Sequence, residues 1–402
     1  MKCYSAYFLS GYDSQQQKKR NVVIIGEQAS LGFLYVSSIY RFLLGEWTHS
    51  RFLYLSFEGN YTMKPGFSSF ARIAHQSMQT IAAPISAIAL SIAVVGVGSV
   101  ALSAPALAGA PMSKAAAPGY YRVMLGDFEI TAISDGTVAL PVDKLLTNTT
   151  PEQTLQTLAK NHLSSPLQTS VNAYLINTGS KLVLIDTGAG ALFGPTLGRF
   201  QASLKAAGYT PDQIDEIYIT HMHGDHVGGL MVGDQMAFPN ATIRADQHDA
   251  DHWLSQANMD KAPADAKGGF QGAMASLNAY VKAGKFKTFD GNTELVPGVK
   301  AIAARGHTPG HSIYMAESKG QKMIFWGDLM HVAAVQFENP DITIGFDSDS
   351  KAAKAQRKKA YAEAAKEGYL IGSTHLSFPG IGRIRAEGKG YVWMPINYVP
   401  VQ

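Results

Sequence analysis

The sequence predicts a layered α/β domain with β-sheets packed inside and helices outside, and three observations point to it. Hydrophobic residues make up 46% and charged residues 16% of the 402 residues, which is the composition of a globular protein. From Tyr120 onward, short segments typical of strands are separated by tight turns, several of which contain glycine. Helical stretches lie between and after these blocks of strands, a pattern that indicates layers of sheet and helix.

Local patterns place the individual elements. Strands are expected at residues 121–125, 128–132, 171–175 and 182–185. Helices are expected at residues 195–207, 246–256 and 351–367, which are bounded by Gly or Pro or are rich in Ala, Lys and Glu.

The N-terminal third carries the pattern of an export signal. Between Arg72 and Lys114 there is no charged residue, and residues 81–107 are rich in Ala, Ile, Val and Leu. This run is long enough to span a bilayer, but it ends in Ala106-Leu107-Ala108, the small-x-small pattern that signal peptidase cleaves. We therefore expect a cleaved signal peptide over residues 63–110 and a periplasmic or secreted protein, with a retained membrane anchor as the alternative.

The position of this signal bears on the translation start. Met63 with Lys64 and Arg72 supplies the positive segment that should precede the apolar run, whereas Met78 leaves none. Residues 1–62 show no sustained helical or alternating period. We interpret residues 1–62 as a non-globular, over-extended reading frame and residues 111–402 as the functional domain.

Charge and cysteine content exclude several classes of protein. Residues 1–110 carry eight Lys or Arg against four Asp or Glu, which leaves a nearly neutral body of 26 against 27. Nucleic-acid binding needs clustered basic side chains, so we expect no nucleic-acid partner. The single cysteine, Cys3, excludes an intrachain disulfide and a Cys-rich zinc module, and any metal site must therefore use His and carboxylates.

One segment, residues 218–229, is predicted to carry the chemistry. It reads as a strand that runs into a Gly-flanked turn and contains His221, His223, Asp225 and His226. Alternation along an extended chain puts the first two on one side, and the turn can aim the last two at a second point nearby. Four potential ligands in six residues indicate a metal site, because imidazole and carboxylate together suit ions such as zinc.

This pattern is similar to the signature of the metallo-β-lactamase superfamily. Four more elements of that signature occur in the order in which the superfamily has them. One precedes the histidine segment, Leu184-Ile185-Asp186-Thr187-Gly188, and three follow it: Gly306-His307-Thr308-Pro309-Gly310-His311, Gly327-Asp328 and Ser373-Thr374-His375. The resemblance implies an αβ/βα sandwich of two mixed sheets with helices outside and two metal ions. The first would be held by His221, His223 and His307, the second by Asp225, His226 and His375, and Asp328 would bridge them. Asp186 is expected to accept a hydrogen bond from a ligand imidazole, and His311 to lie outside the ligand set.

A closer resemblance is to the methyl parathion hydrolase group within that superfamily. It rests on Ala117-Pro118-Gly119-Tyr120-Tyr121-Arg122, residues 125–131, Phe193-Gly194-Pro195-Thr196-Leu197-Gly198 and residues 375–382. The resemblance implies an exported homodimer with two zinc ions, although His and Asp sites also accept Mn, Fe, Co or Cd. Phe193, Trp253 and Phe270 would line the substrate pocket.

The chain departs from that group at four pocket positions. Leu145, His331, Ile344 and Phe346 stand where the group has Arg, Leu, Thr and Leu. Bulkier Ile344 and Phe346 should narrow the pocket, and His331 should bring an imidazole near the metals. A narrow aromatic pocket favours a planar fused lactone over a tetrahedral thiophosphate.

The expected activity is hydrolysis of aryl lactones or esters of the dihydrocoumarin type. Two cations that share a water can supply hydroxide near neutral pH, so no serine or cysteine nucleophile is needed, and Asp328, Asp225 and His331 are the expected catalytic residues. Organophosphate triesters are an expected side activity. A true methyl parathion hydrolase, an acyl-homoserine lactonase and a β-lactamase-like hydrolase stay open as alternatives, as does a metal-binding protein without activity; a nuclease would need a basic groove that the sequence does not show.

Overall fold

The computed structural model describes residue 110, residues 112–114 and residues 117–400. The predicted signal peptide and the predicted over-extended reading frame lie outside the described residues, apart from Ala110. Within the described part of the chain, no helix combines the length and the apolar composition that a bilayer span requires.

The strands and helices alternate along the chain from Tyr120 to Pro395. The strands are β1 Tyr120–Leu125, β2 Phe128–Leu140, β3 Leu146–Thr147, β4 Leu167–Asn177, β5 Leu182–Ile185, β6 Glu216–Tyr218, β7 Met231–Val232, β8 Gln235–Met236, β9 Thr242–Asp246, β10 Phe286–Phe289, β11 Thr293–Val296, β12 Val299–Ala303, β13 Ser312–Ser318, β14 Gln321–Phe325, β15 Thr343–Ile344, β16 Leu370–Gly372, β17 Ile381–Glu387 and β18 Gly390–Pro395. The helices are α1 Val142–Leu145, α2 Pro151–Lys160, α3 Phe200–Ala206, α4 Gly224–Val227, α5 Gln247–Trp253, α6 Gln256–Lys261, α7 Lys267–Lys282, α8 Ala333–Gln336 and α9 Ser350–Glu367.

Two large mixed sheets organise these elements. The first has the strand order β1-β2-β4-β5-β6-β9-β10, and the second β11-β12-β13-β14-β16-β17-β18. Two short ribbons, β3 with β15 and β7 with β8, lie outside them. Most neighbouring strands are antiparallel, but four pairs are parallel: β5 with β6, β6 with β9, β9 with β10, and β14 with β16.

The two sheets pack face to face, and alternation along the strands shows it. In β4, Tyr174 and Ile176 point into a core shared with Tyr314 and Phe325 of the second sheet. Leu175, between them, points to the opposite face, into a core with α3, α5 and α7. The outer face of the second sheet packs against α9 in the same way. This arrangement confirms the predicted αβ/βα sandwich.

The predicted elements are confirmed with corrections to their ends. The helix expected at 195–207 begins only at Phe200, because Gly198 has a left-handed φ of +78° that a helix cannot include. The helix expected at 246–256 is interrupted: Asp246 caps its start, it ends at Trp253, and Ser255 caps a second helix. The strand expected at 128–132 continues to Leu140 across a bulge between Ser134 and Gly136.

Candidate metal centre

The predicted ligands follow the carboxyl ends of strands in both sheets. His221 and His223 follow β6, and Asp225 and His226 lie on the short helix α4, which takes the place of the expected turn. Asp328 follows β14, and His375 follows β16. His307 lies in the connection between β12 and β13. Loops at the carboxyl ends of strands are where α/β folds gather polar groups, and here both sheets contribute to one cluster.

The first predicted ligand set converges to within hydrogen-bonding distance. His221 Nε2 lies 3.0 Å from His223 Nδ1, and His307 Nε2 lies 3.1 Å from the same Nδ1. With an Asp328 oxygen, these nitrogens form a group whose donor atoms all lie within 4.8 Å of one another. His221 is fully buried, and His307 is 2% exposed.

The second predicted ligand set lies beside the first. His226 Nε2 and His375 Nε2 lie 3.6 and 3.5 Å from Asp225 Oδ2, and the three donor atoms form a second compact group. Asp328 lies between the sets. Its Oδ2 is 3.2 Å from His307 Nε2, while its Oδ1 is 3.2 Å from His226 Nε2 and 3.1 Å from His375 Nε2.

Two of the atoms that face the centre have no hydrogen-bond partner among the described residues. His226 Nε2 and Asp328 Oδ1 are buried without a hydrogen-bond partner there. Buried polar atoms without partners are costly and rare in native proteins, and a cluster of imidazole lone pairs around a carboxylate is the donor set that zinc prefers. The residues present therefore fit two metal ions.

Comparison with known proteins agrees with this arrangement. The family described as the metallo-beta-lactamase superfamily matches residues 167–375, slightly more than half of the chain. That range includes all seven predicted ligands. The chain belongs to the metallo-β-lactamase superfamily.

Individual relatives of this superfamily hydrolase are lactonases and other hydrolases. The crystal structure of hydrolase AbOPH is similar over 71% of this chain and 100% of that chain, with 38% identity and a TM-score of 0.68. AidC, a dizinc quorum-quenching lactonase in complex with a homoserine product, is 26% identical over 70% of this chain and 99% of its own, with a TM-score of 0.66. An N-acyl homoserine lactonase from Bacillus sp is 26% identical over 214 residues, 48% of this chain and 76% of its own length.

The imidazoles of this hydrolase are oriented by hydrogen bonds from their outer nitrogens. His226 Nδ1–H donates to Asp186 Oδ2 at 2.8 Å, which places Asp186 as the sequence predicts. His375 Nδ1–H donates to the Ser170 carbonyl at 2.9 Å. His221 Nδ1 lies 3.1 Å from Thr220 Oγ1, whose hydroxyl donates to Asp186. With the outer nitrogens protonated in this way, each inner nitrogen presents a lone pair to the centre.

His311 and His331 occupy different places around Asp328. His311 Nε2 accepts the Asp328 backbone N–H at 3.0 Å, so its Nδ1–H donates to the Ala304 carbonyl; its ring nitrogens are thus engaged away from the centre. His331 Nε2 lies 3.0 Å from Asp328 Oδ2, and its ring stacks on His375 at 5.0 Å between centroids. His331 therefore lies next to the centre, where the sequence places it.

Two buried carboxylates that hold the site were not predicted. Asp347 Oδ1 accepts from His307 Nδ1–H at 2.8 Å, and the fully buried Arg357 lies 3.9 Å from its other oxygen. Asp249 Oδ2 accepts the Met222 N–H at 2.9 Å and Oδ1 the Gly310 N–H at 2.6 Å, which ties the two histidine loops together. Asp249 lies on α5 and Asp347 in the loop between β15 and α9, and neither position carries a sequence signal for these roles, which only the three-dimensional contacts reveal.

The predicted pocket residues divide into three groups. Trp253 and Phe270 are buried, 4.8 Å apart, and the Trp253 ring lies 5.1 Å from that of His223. Phe193 and Phe346 are 49% and 40% exposed, and Phe346 lies 6.0 Å from the His331 ring. Ile344 is fully buried in a small apolar cluster against which Leu145 packs, and β15 pairs with β3 there. These last two residues therefore pack in an apolar cluster, and among the described residues no contact with a ligand histidine is seen for either.

Burial and charge act in opposite directions across the cluster. Burial lowers the pKa of His221 and His223 well below the usual value, so both are neutral and able to bind a cation. Burial raises the pKa of Asp328, but the imidazoles around it, His375 first, bring it well below its usual range. Burial lowers the pKa of His307, yet the hydrogen bonds to Asp328 and Asp347 raise it to about 9 overall.

Proposed function

We propose that this hydrolase is a dinuclear zinc enzyme that cleaves aryl lactones and esters. The observation that carries the proposal is the division of Asp328, whose Oδ2 faces the His221, His223 and His307 set and whose Oδ1 faces the His226 and His375 set. A carboxylate placed in this way can bridge two cations. The same donors accept Mn, Fe, Co or Cd, so zinc is a proposal that AidC, a dizinc relative, supports.

The metals would supply the electrophile and activate the nucleophile. Two cations bound there would polarise the acyl oxygen and lower the pKa of a water molecule enough for it to attack near neutral pH. The chain's own residues would hold this arrangement in place. Asp225 is 21% exposed on its side chain and so faces the open side of the second set, while Asp328 and the imidazoles form a buried floor.

His331 is proposed to act on Asp328. Its Nε2 lies 3.0 Å from Asp328 Oδ2, and His307 Nε2 lies 3.2 Å from the same oxygen. A hydrogen bond from His331 Nε2–H to that oxygen would stabilise the negative charge of Asp328 and fix the orientation of its carboxylate plane. Leucine, the residue of the methyl parathion hydrolase group at this position, cannot donate, and this difference favours a lactone or ester over a phosphotriester here.

The pocket wall supports an apolar, aromatic substrate. Trp253 lies beside His223 with Phe270 packed on it, and Phe346 lies beside His331, so aromatic rings are present near two histidines of the floor. Aromatic side chains bind flat apolar ligands through offset and edge contacts. Hydrolysis of N-acyl homoserine lactones is the second candidate, because lactonases of that type are among the relatives. Phosphotriester hydrolysis is proposed as a side activity, and membership of the methyl parathion hydrolase group stays a prediction.

Substrate comparison tests the function directly. The full chain is expressed, its metal content is measured by mass spectrometry, and kcat/KM is compared for dihydrocoumarin, phenyl acetate, an acyl-homoserine lactone and methyl parathion. We expect two zinc equivalents per chain and the highest kcat/KM for dihydrocoumarin. An acyl-homoserine lactone preferred by more than about tenfold would favour the second candidate, and no turnover of any of the four would contradict the proposal.

Export and assembly are also proposals. We expect the mature N-terminus near residue 111 in a periplasmic or secreted fraction, and a homodimer in solution. N-terminal sequencing of native material tests the first, where peptides from residues 1–62 would contradict the predicted start. Light scattering tests the second, where a monomer mass would contradict it.

A further inference from the structure

The loop between β5 and α3 places two apolar side chains at the entrance to the site. We call residues 188–199 the rim loop. Its tip carries Leu192 and Phe193, which are 44% and 49% exposed. Its base is packed, because Ala189 and Leu197 lie in a small buried cluster with Val171. The rim loop therefore has a fixed base and an exposed tip.

The tip lies directly on the segment that carries the metal ligands. A side-chain carbon added to Gly224, at the start of α4, would stand 2.9 Å from Phe193 Cε2 and 3.1 Å from Leu192 Cδ1. One added to Gly272 of α7 would meet the same Leu192 carbon at 3.4 Å. The absence of a side chain at Gly224 thus leaves room for the Phe193 ring against the start of α4, one residue before the ligand Asp225.

Both ends of the rim loop are held by one buried carboxylate. Asp135 is fully buried beside the bulge in β2. Its Oδ2 accepts the Ala189 and Gly198 N–H groups at 3.0 Å each, and its Oδ1 accepts the Phe200 N–H at 2.9 Å. Its backbone carbonyl also accepts the Arg199 N–H at 3.0 Å. Hydrogen bonds to an ionised carboxylate are stronger than neutral ones, so this contact closes the loop firmly.

We propose that Asp135 is a positioning residue that sets where Phe193 stands at the pocket entrance and thereby determines the affinity for aromatic substrates. This rests on the proposed function, since it assumes that an aromatic substrate passes Phe193 to reach the metal centre. Asp135 itself touches neither the ligands nor the substrate. It acts only through the ends of the rim loop.

The chemistry of the contact suggests the test variant. In Asp135→Asn, one oxygen is replaced by an amide NH₂, which cannot accept and would meet backbone N–H donors head on. At least one buried N–H then loses its acceptor, and the loop ends separate. We expect KM for dihydrocoumarin to rise about tenfold while kcat changes less than threefold and metal content is unchanged. The exposed Asp234→Asn, in the turn between β7 and β8, is the matched control and should leave both constants as they are.

A double-mutant cycle separates positioning from general destabilisation. If Asp135 acts through Phe193, then Asp135→Asn in a Phe193→Ala background should change KM less than twofold. An equal rise in both backgrounds, or loss of metal in Asp135→Asn, would overturn the proposal. If Asp135→Asn does not fold, Gly198→Ala replaces it: its φ is +78° and its added carbon would stand 2.5 Å from the Gly190 carbonyl, so it disturbs the same loop without changing the carboxylate. The same KM rise and the same dependence on Phe193 are expected.

Hydrogen exchange gives a readout that does not need activity. In Asp135→Asn, or in Gly198→Ala where that variant replaces it, we expect faster exchange in residues 188–200 and unchanged exchange in residues 221–228. Unchanged exchange in the rim loop would overturn the anchoring role. If the wild type hydrolyses neither a lactone nor an ester, the proposed function fails on that result, and the exchange measurement alone decides whether Asp135 anchors the loop.

Discussion

The floor of the site and its rim are built in different ways. On the floor, His226 and His375 are each held by a hydrogen bond from the outer nitrogen, and both are buried. On the rim, Phe193 and Phe346 are 49% and 40% exposed, and their apolar rings form no hydrogen bonds. We therefore expect the two regions to respond differently to substitution. Substitutions on the floor should change the metal content and kcat, and substitutions on the rim should change which substrate is preferred.

Removal of the bridging carboxylate should have the largest effect. Asp328→Ala takes away both oxygens that face the two ligand sets and leaves the surrounding imidazoles without a common partner. We expect loss of the paired metals and a fall in kcat of at least ~10²-fold, because the proposed chemistry depends on metal-activated water. Metal analysis and steady-state kinetics measure this, with Asp234→Ala as the surface control. Two retained metals with near-normal activity would show that the floor does not work as described.

A substitution one step outside the ligands should have a smaller effect. Asp347→Asn replaces the carboxylate that accepts from His307 Nδ1–H. Such outer partners typically change metal affinity by about 10–100-fold when lost. We expect Asp347→Asn to lower zinc affinity by this factor, as measured by competition with a chelator. The exposed Asp341→Asn serves as the control. Affinity equal to that of the wild type would mean that packing alone orients His307.

The floor was also the part of the site that the sequence could predict. His221, His223, Asp225 and His226 stand within six residues, and the remaining ligands lie in short glycine-flanked motifs. Asp135, Asp249 and Asp347 were not predicted, since each acts on backbone or side chains 27 to 65 residues away along the chain. Ile344 was assigned to the substrate pocket by resemblance, whereas the structure buries it in an apolar cluster with residues such as Val142 and Val335. Helix ends were misplaced where a left-handed glycine or a capping serine decides them locally.

The four pocket positions at which the chain departs from the methyl parathion hydrolase group should be tested by their effect on selectivity. Replacing Leu145 with Arg, His331 with Leu, Ile344 with Thr and Phe346 with Leu alters the side chain that lies 3.0 Å from Asp328, the exposed ring beside it, and two side chains of one apolar cluster. One or two methylenes in an apolar pocket change discrimination by about 1–3 kcal/mol, so we expect the ratio of methyl parathion to dihydrocoumarin kcat/KM to rise by about tenfold or more.

Neighbouring positions need not act additively, so the four single variants are measured beside the quadruple one. Phe346→Leu and His331→Leu should account for most of the change, because their side chains lie nearest to the floor. An unchanged ratio, with both metals bound, would remove these positions as determinants of selectivity.

The smallest expected effect is a pH dependence of Tm in the metal-free protein that comes from the floor of the site. The pKa of His307 is raised to about 9, so in the metal-free protein the ring is protonated at neutral pH, with Nε2 facing Asp328 and Nδ1 facing Asp347. A raised pKa means that this proton stabilises the fold fully below the ordinary value near 6.5 and that the stabilisation is lost as pH rises through about 9. After removal of metal with a chelator, we expect Tm to fall by roughly 2–5 °C between pH 7 and pH 9, in addition to any change common to all variants.

Two variants assign this change to one region. His307→Gln should reduce the fall, because the titrating group is gone, whereas Phe193→Ala should keep it, because the rim loop contributes no titrating group near its tip. Zinc-loaded wild type should also lack the fall, since a cation on His307 replaces the proton. An equal fall in His307→Gln and Phe193→Ala would mean that the titration belongs to other groups and that His307 is not held as a proton donor between its two carboxylates.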